Sequence, residues 1–194
     1  MTMFLLCIPL LVGLLLVPAL GWADYPAGED AYNHGDYATA LNEWRSLAAQ
    51  GDAGGQNGLG LMYVKGQGVF QDSGEAAKWF HLAADQRYAS AQYNLGLMYD
   101  KGQGVPQDNT VAVKWYRLAA DQGYAKAQNN LAAMYYSGKG VLKDYVFAHM
   151  WANLAASQGQ KIAVILRDAV ERVMIPQQMA EAQRLAREWK PKGN

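Results

Sequence analysis

The chain has 194 residues, and its 17 Lys and Arg residues are balanced by 17 Asp and Glu residues. A formal net charge of zero lacks the basic excess that binds nucleic acid or an anionic membrane surface, so we expect neither as a partner. With 51% hydrophobic residues the chain can build a core, which excludes a disordered protein. A single cysteine allows neither an intramolecular disulfide nor a thiolate metal site, so packing must hold the fold together.

The N-terminal segment is typical of an export signal. Residues 1–23 carry no charged side chain, and their apolar run at residues 3–20 is followed by Gly21 and Ala23, small residues that signal peptidase accepts. We therefore predict a signal peptide at residues 1–23, cleavage after Ala23, and a periplasmic or secreted protein with no membrane attachment afterwards. The alternative is an uncleaved inner-membrane anchor, because no Lys or Arg precedes the run and its length is at the lower limit for a transmembrane helix.

From residue 37 onward the sequence repeats with a period of 36 residues and no gaps. The three full copies end LGLMYVKGQGVFQD, LGLMYDKGQGVPQD and LAAMYYSGKGVLKD, and the second and third are identical at 20 of 36 positions. Such repetition predicts an array of similar units. In chain order we predict an N-terminal capping segment at residues 24–36 and three repeats at residues 37–72, 73–108 and 109–144. A degenerate fourth repeat at residues 145–174 and a C-terminal capping helix with a tail at residues 175–194 follow.

Each copy has the pattern of a helix pair. Asp72, Asp108 and Asp144 stand where an N-cap carboxylate accepts the unpaired amides that begin a first helix. A second helix is predicted at residues 89–101 and 125–137. In the first helix of the second copy, five apolar residues share one arc of the helical wheel and form the predicted buried face: Ala76, Trp79, Phe80, Ala83 and Ala84.

The recurring Gly and Gln residues have structural interpretations. Gly102 and Gly104 form a Gly-x-Gly pair, but a phosphate-binding loop opens a helix, whereas this pair follows one, so we predict a left-handed helix end. Gly96 is predicted to let two helix backbones approach closely. Gln92 and Gln122, with their equivalents, are predicted to satisfy backbone groups at the turns between helices.

The motif A-x-x-W-[YF]-x-x-A-A-x-Q-x-x-A-x-A-Q-x-x-L-[GA]-x-M-Y-x-x-G-x-G-V-x-x-D, at residues 76–108 and 112–144, resembles the Sel1-like repeat, a relative of the tetratricopeptide repeat. This resemblance covers about residues 29–190. It implies an all-α superhelical solenoid of helix pairs, with capping helices at both ends and a concave side lined mainly by the first helices. It also implies the exported bacterial type, whose members act as adaptors or regulators.

Both ends of the array are expected to carry helices with one apolar face. A short helix at residues 27–34 is predicted to pack over the first unit, with Gly35 and Asp36 ending it and capping the next helix. At the other end, Pro176 opens a last helix. The helix before it is predicted to seal the stack with apolar residues at helical spacing: Ile162, Ile165, Leu166, Ala169, Val170 and Val173.

The polar residues opposite the buried arc of the first helices are the candidate binding surface for a protein or peptide. They differ between copies more than the core residues do, as a recognition surface would. The simpler interpretation is a solvated face, with an ion pair between Arg117 and Asp121. The candidate residues are Asn42, Arg45, Lys78, His81, Asp85, Lys114, Arg117, Asp121 and Asn153.

The sequence offers no catalytic constellation, so we expect no enzyme, no cofactor and no metal site. His34, His81 and His149 stand in different units at different repeat positions and are expected to be exposed. The alternative function is a hydrolase or binding protein for cell-wall material or β-lactams, because a cysteine-rich subgroup of the resembled family is associated with such compounds. The predicted mature chain has no cysteine, which weakens this alternative. We also expect the protein to be a monomer.

Overall fold

The structure is a computed structural model that describes residues 25–192, so the predicted export signal lies outside the described residues. Within this range every regular element is a helix. The ten helices follow one another along residues 25–188: α1 Tyr25–Asn33, α2 Tyr37–Ala49, α3 Ala53–Lys65, α4 Ser73–Asp85, α5 Ala89–Lys101, α6 Asn109–Asp121, α7 Ala125–Ser137, α8 Tyr145–Ser157, α9 Lys161–Glu171 and α10 Pro176–Glu188.

The helices stack in chain order. From α1 to α9 each helix packs against the next, and the contacts are most extensive between α3 and α4, α5 and α6, and α7 and α8. These are the junctions between one predicted copy and the following one, so each unit buries its apolar surface mainly against its neighbours. The last helix, α10, packs against α8. This arrangement confirms the predicted all-α solenoid of helix pairs with a capping helix at each end.

Carboxylates begin the first helix of each unit, as predicted. The Asp108 Oδ1 atom accepts hydrogen bonds from the amides of Thr110 and Val111 at 2.8 and 3.0 Å. Asp36, Asp72 and Asp144 cap α2, α4 and α8 in the same way. A cap of this kind satisfies amides that have no partner inside the helix, which fixes where each helix begins.

The Gly-x-Gly pairs end the second helices, which confirms the structural interpretation. Gly102 is the C-cap of α5 with φ of 67°, and its amide donates to the Met98 carbonyl. Gly104 has φ of 71° and lies against the start of α4, where an added Cβ atom would come within 2.1 Å of the Ser73 carbonyl oxygen. Glycine is therefore required at this position by both the backbone conformation and the close approach.

The predicted buried face is correct except for its tryptophan. Ala76, Phe80, Ala83 and Ala84 are buried, but Trp79 is only partly buried. In the next unit Tyr116 is fully buried while the neighbouring Trp115 is not. Burial raises the pKa of the Tyr116 phenol well above its usual value, because the ionised form would have to lose its hydration. In these two units the centre of the junction is thus the second aromatic residue of the W-[YF] pair.

Gly96 makes room for that aromatic ring. A Cβ atom on Gly96 would lie 2.5 Å from the Tyr116 ring, and one on Gly60 would lie 2.5 Å from the Phe80 ring. One unit later the glycine position is Ala132, and the aromatic position is also alanine, Ala152. At that junction two small side chains therefore replace the glycine and the ring, and the large buried side chain is the neighbouring Trp151. Gly60 and Gly96 thus make room for an aromatic ring, whereas the prediction was a close approach of two helix backbones.

Glutamine amides link one helix pair to the next. The Gln122 Nε2 atom donates to Gln92 Oε1 at 2.7 Å, and Gln92 Nε2 donates to the Ala84 carbonyl at 3.2 Å. The same contacts recur at Gln86 with Gln56 and at Gln158 with Gln128. In each pair a glutamine at a helix end donates to a buried glutamine of the preceding unit, and Gln92 in turn donates to a helix-end carbonyl, which confirms the predicted structural role of these amides.

The two ends of the array differ. At the N-terminal end α1 begins and ends slightly earlier than predicted, and Tyr32 packs on the buried Trp44 with ring centroids 5.2 Å apart. At the C-terminal end the prediction that α9 seals the stack with its whole apolar stripe is wrong. Val170 is buried, but Ile162 and Ile165 are each 70% exposed, because α10 leaves α9 and folds onto α8.

A candidate protein-binding face on the first helices

The nine residues predicted as a binding surface lie on α2, α4, α6 and α8, the helices that begin the predicted copies. We call this set the first-helix face. Its members range from exposed side chains, such as Arg45, Lys78, Asp85 and Lys114, to partly buried ones, such as Asn153. The complete set comprises Asn42, Arg45, Lys78, His81, Asp85, Lys114, Arg117, Asp121 and Asn153.

The lysines near the starts of α4 and α6 provide the positive charge of the face. The Lys78 Nζ atom lies 2.8 Å from Glu75 Oε2, and this hydrogen bond raises the pKa of the Lys78 ammonium. In the next unit Val111 occupies the position of Glu75, so Lys114 has no equivalent acidic neighbour on its helix. The charge of Lys78 is therefore partly offset by a carboxylate on its own helix, and that of Lys114 is not.

Two members of the face are held by aromatic residues of other helices. The His81 ring meets the Trp115 ring edge to face at 5.7 Å, and its Nε2 atom is 3.5 Å from the Tyr99 hydroxyl. The Arg117 guanidinium donates to the Tyr135 hydroxyl and lies 5.5 Å from the centre of that ring. The expected ion pair between Arg117 and Asp121 is therefore absent among the described contacts, because the arginine turns toward α7.

The C-terminal tail occupies the end of α6, which sequence reasoning missed. The Lys192 amide donates to the Asp121 carbonyl at 2.8 Å, and Lys192 Nζ donates to Asp121 Oδ2 at 2.7 Å. Trp189 anchors this tail by packing edge to face on Trp151, with ring centroids 6.1 Å apart. No periodicity in the sequence signals the contact, because Lys192 lies outside the repeats and 71 residues from its partner.

Beside the tail, the ends of α4 and α6 enclose a cavity of about 390 Å³. Asp85 and Asp121 both line it, so the structure brings these two predicted residues together. The remaining walls include aromatic, aliphatic and amide side chains and two cations, one of which belongs to the tail: Trp115, Leu118, Gln122, Arg87 and Lys192.

A second depression, of about 750 Å³, lies at the loop between α3 and α4. Arg45 of the first-helix face lines it together with Tyr63, Val69 and Phe70. The Phe70 side chain is 98% exposed, which is unusual for a phenylalanine. The sequence could have indicated this apolar loop position, because an apolar residue recurs there in each copy: Phe70, Pro106 and Leu142.

Within residues 25–192 no three His, Cys, Asp or Glu side chains cluster as metal ligands would. His34 is exposed, but the expectation of exposure is wrong for His149 and only partly right for His81. His149 is 2% exposed, and its Nε2 atom lies 2.9 Å from Glu171 Oε1 on the capping helix α9. The helices between residues 25 and 188 are too short or too polar to span a membrane.

Comparisons with known proteins identify the repeat. A family model described as the Sel1 repeat matches residues 53–88, 89–124 and 125–160, more than half of the chain and in the 36-residue period found above. The crystal structure of a Sel1 repeat protein from Oxalobacter formigenes is 37% identical, with a TM-score of 0.68, over 72% of this chain and 58% of that one. No curated protein matches the chain at a significant level.

A second solved structure has the same fold. It is c5321, a protective antigen of uropathogenic Escherichia coli strains that displays an SLR fold, 28% identical with a TM-score of 0.59 over 78% of this chain and 40% of that one. The chain thus spans less than two thirds of either structure. Sel1 repeats are protein–protein interaction modules, and the proteins built from them are generally non-catalytic scaffolds. With three consecutive matches covering six of its helices, this chain belongs to the Sel1 repeat family.

Proposed function

We propose that this protein is an exported, non-catalytic scaffold, adaptor or regulator that binds a partner protein or peptide on the first-helix face. The observation that carries the proposal is a division of roles among the repeated helices. Small apolar residues that recur between copies, such as Ala84 and Ala120, are buried at the junctions, whereas the recurring Lys78 and Lys114 are exposed. Residues that differ between copies, such as His81 and Arg117, lie at or near the surface. Side chains that packing does not require are free to be selected for recognition.

The chemistry of the face suits a protein partner. Leu82 and Leu118 are 49% and 47% exposed and lie between a lysine and an aspartate on α4 and α6, respectively. Exposed apolar residues flanked by charges are typical of a protein interface, whose apolar centre is surrounded by a polar rim. An array that repeats this unit along several helices offers an extended surface, which we place on the concave side of the solenoid.

Charge reversal at two lysines should weaken partner binding. We expect the double variant Lys78→Glu and Lys114→Glu, used as bait in an envelope extract, to recover the partner at least tenfold less well than the unchanged protein. The matched control is Lys101→Glu with Lys126→Glu, because these exposed lysines lie on α5 and α7. Equal recovery by both double variants and the unchanged protein would show that the first-helix face is not the binding surface.

Export is the second part of the proposal, and the mature N-terminus tests it. Mass spectrometry of the protein recovered from the envelope fraction should give a chain that begins at Asp24, because Gly21 and Ala23 satisfy the requirements of signal peptidase. A chain that retains residues 1–23 and partitions with the inner membrane would instead indicate an anchored scaffold. We propose that the processed protein is a monomer.

A further inference from the structure

The C-terminal tail shows which kind of ligand fits the ends of the first helices. Its Lys192 satisfies two acceptors of one residue, the main-chain carbonyl and the carboxylate of Asp121 at the end of α6. A helix-end carbonyl has no partner within its own helix, and a nearby carboxylate adds negative charge, so the pair favours a donor that is also cationic. A lysine in an extended segment supplies both, with its amide and its ammonium group.

The repeat provides a second copy of this acceptor pair. Asp85 ends α4 as Asp121 ends α6, one 36-residue period earlier, and both residues line the 390 Å³ cavity. No residue between 25 and 192 donates a described hydrogen bond to the Asp85 carboxylate, and that side chain is exposed. One of two equivalent acceptors is therefore occupied by the chain's own tail, and the other is open.

The walls of the cavity add contacts for the rest of such a segment. Leu118 and the partly buried Trp115 offer apolar surface, and Gln122 offers an amide. In the tail, Pro191 precedes Lys192 and lies near Gly123, which shows that a proline is accommodated beside the helix end. Proline favours an extended backbone without internal hydrogen bonds, which leaves its neighbours' amides free to bind.

We propose that the cavity between α4 and α6 binds an extended, lysine-bearing peptide segment of the partner, and that the C-terminal tail competes for the same site. This inference rests on the proposed function and names the chemistry of its partner. Asp85 and Asp121 line the same cavity, so one short segment can contact both carboxylates. Because an extended peptide advances about 3.3 Å per residue, two lysines three residues apart are separated by about 10 Å along the segment.

Fluorescence anisotropy with a labelled peptide, Gly-Lys-Pro-Gly-Lys-Gly, tests the proposal. We expect a variant that ends at Pro191 to bind this peptide with a dissociation constant about tenfold lower than that of the whole protein, because the tail then no longer occupies the site. This variant keeps Trp189, so the packing on Trp151 is retained. In the shortened protein, Asp85→Asn and Asp121→Asn should each raise the dissociation constant at least fivefold.

Two matched controls make the result specific. Asp168→Asn alters a carboxylate on α9 that is 48% exposed and paired with Arg167, and it should leave peptide binding unchanged. A peptide with both lysines replaced by glutamine should not bind. Equal affinity of the whole and shortened proteins, no binding by either, or equal losses from Asp85→Asn and Asp168→Asn would overturn the proposal. Peptide binding without partner capture through the first-helix face would contradict the proposed function alone, so the two failures are distinguishable.

Discussion

Replacing Tyr116 by alanine is expected to lower the free energy of unfolding by about 3 to 5 kcal/mol, the range observed for large aromatic residues removed from a core. Tyr116 is fully buried at the junction between the second and third units, and its ring fills the space above Gly96. Because each unit is stabilised mainly by its neighbours, a cavity there weakens the contact on which both halves of the array depend. Urea unfolding followed by far-ultraviolet circular dichroism measures the change.

The adjacent Trp115 provides the control for this prediction. Its side chain is larger but only partly buried, so Trp115→Ala should cost clearly less than Tyr116→Ala. The conservative variant Tyr116→Phe keeps the ring and should change the free energy of unfolding by less than about 1.5 kcal/mol. A larger loss from Trp115→Ala than from Tyr116→Ala would contradict the assignment of Tyr116 as the centre of the junction.

Gly104→Ala is expected to destabilise the protein by about 3 kcal/mol or more, for two separable reasons. The left-handed conformation at φ of 71° costs an alanine about 1 kcal/mol. The larger part comes from overpacking, because the new methyl group would lie 2.1 Å from the Ser73 carbonyl oxygen, and a backbone atom cannot rotate away as a side chain can. The shift in the urea midpoint at constant slope reports the loss.

Gly35→Ala separates the two contributions. Gly35 has a similar φ of 81°, but a Cβ atom there would meet nothing within 4 Å. Its replacement should therefore cost only the conformational part, about 1 kcal/mol. If the two alanine variants have the same midpoint, the close approach between the loop after α5 and the start of α4 does not contribute to stability.

The sequence predicted the regular part of the fold well, because its signals are local and repeated. The second helices were predicted at residues 89–101 and 125–137, and the structure has those bounds. Capping aspartates and left-handed glycines set these boundaries through the backbone of the same few residues, so no long-range information is needed. Because each signal recurs at the same position in several copies, it is easier to recognise than a signal that occurs in a single copy.

Features that depend on contacts between distant segments were not predictable. A helical wheel places Trp115 and Tyr116 on the same face, and only the neighbouring unit, through Gly96, decides which ring is buried. The burial of His149 depends in the same way on α9. For the candidate site, the sequence indicated which residues face away from the core, but not that Lys192 of the tail binds Asp121.

The glutamine amides described above have a geometric consequence for the array as a whole. Alanine-rich helix faces are smooth, so apolar contact alone allows one helix to slide along another by a fraction of a turn. Gln86, Gln122 and Gln158 each bond to the glutamine 30 residues earlier, which fixes the offset identically at successive steps. The same bond at three successive steps favours a similar rotation between units. We expect gain or loss of one 36-residue copy to lengthen or shorten the superhelix with little change in its pitch.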